Sequence, residues 1–197
     1  FTLTFDYGQK HSKELKCASK ISERIKAFQH KIVKLDLTQW GGSALTDDRI
    51  KVPKNRKLTS KSIPITYVPA RNTIFLSMAL AYAEAVKAEE IYIGVNSIDY
   101  SGYVDCRPVF IKKFQELVKV ATVAGVNGKP INIKTPLISL NKKEIIQLGQ
   151  KLGINWASTW SCYMGEKLAC GRCDSCRLRL KGFREAGVKD SLKYKKR

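Results

Sequence analysis

Acid is what this chain has least of for its size: 17 Asp and Glu face 36 Lys and Arg, a formal charge of +19 over 197 residues. The excess is uneven. Nine basic residues lie between Arg177 and Arg197 against Glu185 and Asp190, and five lie between Lys51 and Lys61 with no acid. Such a surface attracts polyanions, RNA among them, and raises the local concentration of nucleotides. A solvated, lysine-rich face accounts for it equally well, because charge alone names no site. Long apolar runs are missing too. No stretch approaches the roughly 18 residues that cross a bilayer as a helix, and no charged leader precedes a short apolar segment. A soluble, cytoplasmic chain with no membrane partner is therefore expected. An initiator methionine is also missing: the sequence begins at Phe1, inside a predicted strand, and residues upstream are expected to have been removed. What remains is ordinary globular material, 44% hydrophobic, which excludes general disorder and suffices for a core.

Cysteine is scarce but clustered. Six cysteines without a secretory leader argue against a disulfide scaffold. Cys17 and Cys106 are isolated, whereas the others fall in Cys162-x7-Cys170-x2-Cys173-x2-Cys176. Two-residue gaps let the backbone fold back so that successive thiolates point at one centre, and four thiolates at roughly 2.3 Å satisfy tetrahedral zinc. Gly171 supplies the permissive backbone such a knuckle needs. An iron–sulfur cluster uses four cysteines as well, and redox-active thiols are the third reading. With four protein ligands the expected zinc is structural and leaves no position for a reacting water.

The remaining pattern is strand then helix, repeated. Phe1 to Phe5 alternates as a strand and ends in the turn-like Asp6-Tyr7-Gly8; Leu15, Ala18, Ile21, Ile25 and Phe28 follow at helical spacing. Lys31 to Leu37 predicts a second strand. Trp40 to about Ile65 is an irregular insertion broken by Gly41-Gly42, Pro53 and Pro64. Thr73 to Ala88 is apolar almost all round and predicts a buried helix. Ile91 to Val95 and Ile131 to Leu137 predict short parallel strands. Pro108 suits the first turn of a helix whose buried face is Phe110, Phe114, Leu117, Val118 and Ala121. Asn141 caps a further helix that Gly153 closes, and Asp174 to Ala186 predicts the last one. Alternation of this kind points to an α/β fold with an open parallel sheet and right-handed crossovers. Two domains are expected, 1–159 carrying the α/β sheet and 160–197 a small zinc-binding appendage. Ligands of such sheets collect beyond the carboxyl ends of the strands, which directs attention to three loops: Asp6 to His11, Tyr67 to Asn72, and Gly94 to Tyr103.

Those loops carry a resemblance. Asp6-Tyr7-Gly8-Gln9, Val68-Pro69-Ala70-Arg71-Asn72, Asp99-Tyr100-Ser101-Gly102-Tyr103 with Asp105-Cys106-Arg107-Pro108, and Trp160-Ser161-Cys162-Tyr163 resemble 7-cyano-7-deazaguanine synthases, PP-loop ATPases of the queuosine and archaeosine pathway. The likeness runs in order from Phe1 to about Tyr194. It implies a Rossmann-like nucleotide-binding sheet, ATP with Mg2+ as co-substrate, 7-carboxy-7-deazaguanine and ammonia as substrates, a structural Zn2+ and a homodimer. ATP would activate the carboxylate for attack by ammonia, and a second ATP would activate the amide oxygen, which leaves as the nitrile forms. One departure is large: the family's Ser-Gly-Gly-x-Asp-Ser phosphate loop has no counterpart in these 197 residues. A strand and helix of roughly 30 residues would carry it. In the family that strand is central, so its neighbours are expected to be exposed without it. Val104 stands where the family usually has proline, and Val109 where an acid is common.

The resemblance also implies roles. Arg71, Asp99, Asp105 and Arg107 are the catalytic candidates; Tyr7, Gly8, Gln9, Arg71 and Asn72 the nucleotide side; Tyr100, Ser101, Tyr103, Asp105 and Arg107 the substrate side. Each has a plainer alternative. Asn72 suits a helix N-cap and Arg71 a solvated surface. Asp99 and Asp105 suit turns, Tyr100 and Tyr103 loop packing, and Arg107 a pairing with Asp105. Gly8 suits a backbone turn, His11 a helix surface, and Cys17 the buried side of the first helix. Two other functions compete: a PP-loop ATPase that modifies tRNA directly, favoured by the charge, and a non-enzymatic zinc-ribbon nucleic-acid binder. Neither explains the Asp99 to Pro108 loop, so nucleic acid is the less favoured partner.

Overall fold

In the computed structural model, residues 1–56, 62–98, 102–164 and 167–196 are described, and they fall into two compact units. The first is discontinuous, drawn from Phe1–Ser60, Ile65–Val68 and Lys142–Arg197; the second comprises Lys61–Pro64 and Pro69–Asn141.

The first unit begins with β1 (Thr2–Asp6), α1 (Lys13–Arg24) and β2 (His30–Lys34). The two strands pair in parallel, Thr2 opposite His30 through Asp6 opposite Lys34, as the strand–helix–strand pattern requires. Pairing continues past the strands, with Leu35 N donating to Asp6 O at 2.7 Å and Leu37 N to Tyr7 O at 3.2 Å. The apolar side expected of α1 is not buried: Ser22 is its buried residue, while Ile25 and Phe28 are 61% and 86% exposed. The helix stops at Arg24, so the last two positions of the stripe lie beyond it, and Phe28 turns its ring edge to Phe1 at 5.2 Å. Cys17 is half-buried, and that burial pushes its thiol up.

The irregular insertion supplies what α1 does not. Ser43, Ala44, Leu45, Thr46 and Asp47 are all buried. Lys10 holds this turn from below, its Nζ donating to the carbonyls of Asp47 at 2.8 Å and Ile50 at 3.1 Å. Later in the chain, α5 (Lys142–Lys151) and α6 (Asp174–Glu185) pack together.

The second unit contains α2 (Arg71–Ala85), β3 (Glu90–Tyr92), α3 (Pro108–Ala121), α4 (Val123–Val126) and β4 (Asn132–Lys134). β3 and β4 are parallel, with Ile91 opposite Ile133. The core is Leu76, Leu80, Ala83, Val95, Cys106, Ile111, Phe114, Val118 and Ile131. Helix α2 is not buried all round as its composition suggested; Asn72, Leu76, Leu80 and Ala83 form a single buried stripe, since a helix against one layer needs only one apolar face. Leu117 is likewise outside the buried face of α3. Gln115 does the work of a neighbouring strand: its Oε1 accepts from Ile133 N at 2.7 Å and its Nε2 donates to Ile131 O at 3.0 Å.

The α/β content and parallel pairing match the expected class, but among the described residues the strands form two separate pairs rather than one open sheet. None of the sixteen strand residues is buried, counting 5, 5, 3 and 3 in β1 to β4. Parallel strands ordinarily read as buried on both faces; these carry a partner along one edge each. No helix among the described residues is long and apolar enough to cross a membrane.

Candidate functional site

Four sulfurs converge at the start of α6. Cys162, Cys170, Cys173 and Cys176 place their Sγ atoms within 4.8 Å of one another. Cys162, Cys173 and Cys176 are fully buried and Cys170 half-buried. Cys170 Sγ and Cys176 Sγ are 3.9 Å apart. A tetrahedron with metal–sulfur bonds of roughly 2.3 Å has edges of about 3.8 Å, so the spacing fits zinc. Backbone N–H groups point at the sulfurs as they do at thiolates: Cys170 N and Met164 N donate to Cys162 Sγ at 3.3 and 3.5 Å, and Cys173 N and Arg172 N to Cys170 Sγ at 3.3 and 3.4 Å. Gly171 makes the turn at φ +69°, a left-handed conformation costly for any side chain.

Crowding sets the thiol chemistry. The Cys173 and Cys176 thiols, donating to Cys162, pull it down to about 2, with backbone N–H groups helping. Cys173 is pushed up to about 12 by that same interaction with Cys162, and Cys176 is raised further by both neighbours. A dication at the centre favours the thiolate form of all four sulfurs, which is why binding releases protons.

The insertion clips onto this knuckle. Asn55 N donates to Arg172 O at 2.9 Å, Arg56 Nε and Nη2 reach Asp174 Oδ2 at 3.0 and 2.8 Å, and Arg177 Nη1 donates to Arg56 O. Sequence reading missed these contacts because the two segments lie more than a hundred residues apart.

Beyond the carboxyl end of β1, the turn folds inward. Tyr7 and Gln9 are buried, and Gln9 is spent on the turn itself: Oε1 accepts from Tyr7 N at 2.8 Å, while Nε2 donates to Phe5 O at 3.2 Å and Glu14 Oε1 at 3.0 Å. Gly8 lies between them, exposed, at φ +79°, where a Cβ would stand 2.5 Å from Thr38 Cγ2. His11 is not on a surface. It is 4% exposed, its Nε2 lies 3.3 Å from Glu14 Oε2, and its ring meets Tyr7 at 6.4 Å and Tyr163 at 5.8 Å. The Asp6 to His11 loop thus touches the Trp160 to Tyr163 segment, which Lys13 also approaches, 4.0 Å above the Trp160 ring. At the carboxyl ends of β1 and β2 a hollow of about 400 Å3 is lined by Gly8, Lys10, Thr38, Thr46, Asp47, Asp48 and Arg49. Arg49 holds Asp47 down to about 2 by hydrogen bonding, so this hollow offers a permanent carboxylate beside two cations.

The second unit gathers a different set. Asp105 is buried, and its Oδ2 accepts from Asn72 N at 2.9 Å. The Asn72 side chain donates to Asp105 O at 3.1 Å and Cys106 Sγ at 3.2 Å. Asn72 is therefore inside α2, not its cap; the cap position belongs to Ala70, at φ +52°, and the Asp105 carboxylate satisfies a first-turn N–H in its stead. Arg71, half-buried, opens the helix with its guanidinium 5.9 Å from the Phe75 ring and Nε 3.4 Å from Asn72 Oδ1. Tyr103 packs on the core, while Arg107 is exposed in the cap position of α3. Asp99, Tyr100 and Ser101 lie outside the described residues.

Comparison with known proteins bears on the chain as a whole. Residues 1–187 match the family described as queuosine biosynthesis protein QueC. The chain is 56% identical over 196 residues to a protein of Nostoc sp. named 7-cyano-7-deazaguanine synthase, covering 98% of this chain and 86% of that one. A protein of the same name from Saccharophagus degradans is 56% identical at the same coverage, and one from Anaeromyxobacter dehalogenans is 54% identical over 98% of this chain and 84% of its own length.

Proposed function

The chain belongs to the QueC family of queuosine biosynthesis proteins, and from that membership we infer that it is an ATP-dependent ligase. It converts 7-carboxy-7-deazaguanine and ammonia to 7-cyano-7-deazaguanine. The observation that carries this is identity above one half across nearly the whole chain with proteins of that name. A carboxylate oxygen is a poor leaving group until it carries a nucleotide phosphate. One ATP supplies that activation for amide formation, and a second lets the amide oxygen depart as the nitrile forms. The protein's share is positioning and charge neutralisation.

Roles of single residues follow from the same reading. The Arg71 guanidinium, at the N-terminus of α2, neutralises a phosphate or the substrate carboxylate; its fork and the helix end favour the same anion. The exposed Gly8 backbone and the polar hollow beside it receive part of the nucleotide, with Tyr7 and Gln9 shaping the turn. Asn72 and Asp105 hold Arg71 in register by fixing the first turn of α2. Asp99, Tyr100, Ser101, Tyr103 and Arg107 take the substrate side on the strength of the resemblance. Residues 160–197 act as a zinc-binding subdomain, Mg2+ accompanies ATP, and the enzyme works in the cytoplasm as a homodimer. In support of pairing, Leu117, Val120, Val123 and Val126 are exposed.

The test is product analysis. ATP is expected to be consumed only when 7-carboxy-7-deazaguanine and ammonium are both present, with the nitrile appearing by mass spectrometry. Unmodified substrate alongside a steady ATP turnover sinks the reading. Binding of tRNA without nitrile formation would favour the direct tRNA-modifying alternative.

A further inference from the structure

Residues Asp190 to Lys195 run back across the cysteine knuckle. Ala169, fully buried beside Cys170, is bracketed by them: its N–H donates to Lys193 O at 3.0 Å and its carbonyl accepts from Lys195 N at 2.9 Å. Leu192 and Tyr194 pack on the cluster that contains Cys162, Cys173 and Cys176. The Tyr194 ring covers Gly171, where a Cβ would stand 3.6 Å from Tyr194 Cδ1.

One carboxylate fastens this strap. Asp190 accepts from Arg179 Nε and Nη2, each at 2.8 Å, from the Tyr194 hydroxyl at 2.6 Å and from Leu192 N at 3.0 Å. Arg179 is anchored on its other side, donating to Thr159 Oγ1 at 2.8 Å and Trp156 O at 3.2 Å, and its guanidinium lies 5.1 Å from the Phe183 ring. The Arg179 and Asp190 side chains are 10% and 5% exposed. Burial works against both charges, yet their pairing more than offsets it: Asp190 stays below its ordinary value and Arg179 above. Burial, and then the Asp190 carboxylate, push the Tyr194 phenol up, which keeps it a donor.

We propose that Arg179, Asp190 and Tyr194 form a latch on the metal: the strap must lift before zinc can leave or enter. This rests on the structural-zinc reading of the four cysteines. Zinc held by thiolates exchanges when an incoming ligand reaches the metal or a sulfur. Three of the four sulfur-bearing residues are fully buried, so the approach runs through the Ala169-Cys170-Gly171 corner, and that corner is what Lys193 to Lys195 cover. Leu192 and Tyr194 of the strap pack on the cysteine cluster, so a filled site favours the closed strap, and by linkage the closed strap binds the metal more tightly.

The experiment is zinc release from the purified full chain into excess chromogenic chelator. Tyr194→Phe keeps the ring but removes one hydrogen bond to a charge, and release is expected to quicken by about tenfold. Asp190→Asn breaks the buried pair, and about a hundredfold is expected. Trypsin supplies a readout that needs no variant: cleavage after Lys193 and Lys195 is expected to be slow in the metal-loaded chain and at least about tenfold faster once chelator has acted. Release from Tyr194→Phe at the wild-type rate, with cleavage unaffected by the chelator, overturns the latch even if Asp190→Asn fails to fold. Purified protein without zinc at one per chain overturns the metal reading, and the latch with it.

Discussion

The knuckle and the core of the second unit reach order by opposite means. Around Leu76, Phe114 and Val118, the chain buries apolar side chains against one another, and directional bonds such as those of Gln115 only finish the edge. Around Cys162 to Cys176, Trp160, Tyr163, Leu192 and Tyr194 pack at the rim, but three of the four buried residues at the centre are cysteines. Order there comes from sulfurs aimed at one point, N–H groups aimed at the sulfurs, and the buried Arg179–Asp190 pair. Apolar contacts add up and fail gradually, whereas a coordination centre fails when one ligand goes. A small segment rich in charge has few other routes to a fixed structure.

The largest expected effect breaks the comparison at its strong end. Cys173→Ser removes one of the four sulfurs of the proposed zinc site, and zinc held by four protein ligands is worth on the order of 10 kcal/mol of folding free energy. Zinc content should fall, and amides from Trp160 to Tyr194 should lose hydrogen-exchange protection. Loss of protection spreading to Leu76, Phe114 and Val118 would mean that the two regions are not distinct in kind. Phe114→Ala tests the other side. It should cost about 3–5 kcal/mol by opening a cavity, while zinc stays at one per chain by elemental analysis.

Smaller effects concern the edge of the second unit where chemistry is proposed. Arg71→Lys keeps the charge and loses the fork, so turnover should drop by about a hundredfold, roughly 3 kcal/mol on the barrier, with an unchanged melting temperature. A wild-type rate would return Arg71 to the surface. Ala70→Gly should be the mildest. Relief of a left-handed alanine is worth about 1–2 kcal/mol, and the extra freedom of glycine in the unfolded chain takes back about 0.4–1. A rise in melting temperature of a few degrees is expected, and a fall would show that Ala70 is held by contacts stronger than its strain.

How much of this was legible in the sequence follows the same divide. The cysteine spacing announced the knuckle because coordination geometry fixes spacing locally. Helix α2 showed as a long apolar run, and α3 in the spacing of its buried face behind Pro108. The insertion did not, since Ser43, Thr46 and Asp47 are polar and their burial depends on Lys10, tens of residues away. His11 misled for a similar reason: nothing near it in sequence announces Tyr163. The apolar stripe of α1 pointed to burial, yet the stripe outruns the helix. Asn72 read as a cap, and the cap function came instead from Asp105, 33 positions on. Roles that depend on a distant partner leave no local pattern to read.

The discontinuity of the first unit bears on the order in which the protein can assemble during synthesis. The second unit occupies one nearly continuous stretch that ends at Asn141. Its partners are all available once that residue has left the ribosome. The first unit needs both ends: Lys13 Nζ meets Lys167 O across 154 positions, and Arg56 meets Asp174 across 118. Closing such long loops is slow, so the contacts that Lys13 and Arg56 make must wait until the cysteine segment has been made. The four sulfurs of the knuckle are then among the last parts of this unit to be placed, and their gathering closes a structure that β1 and β2 began.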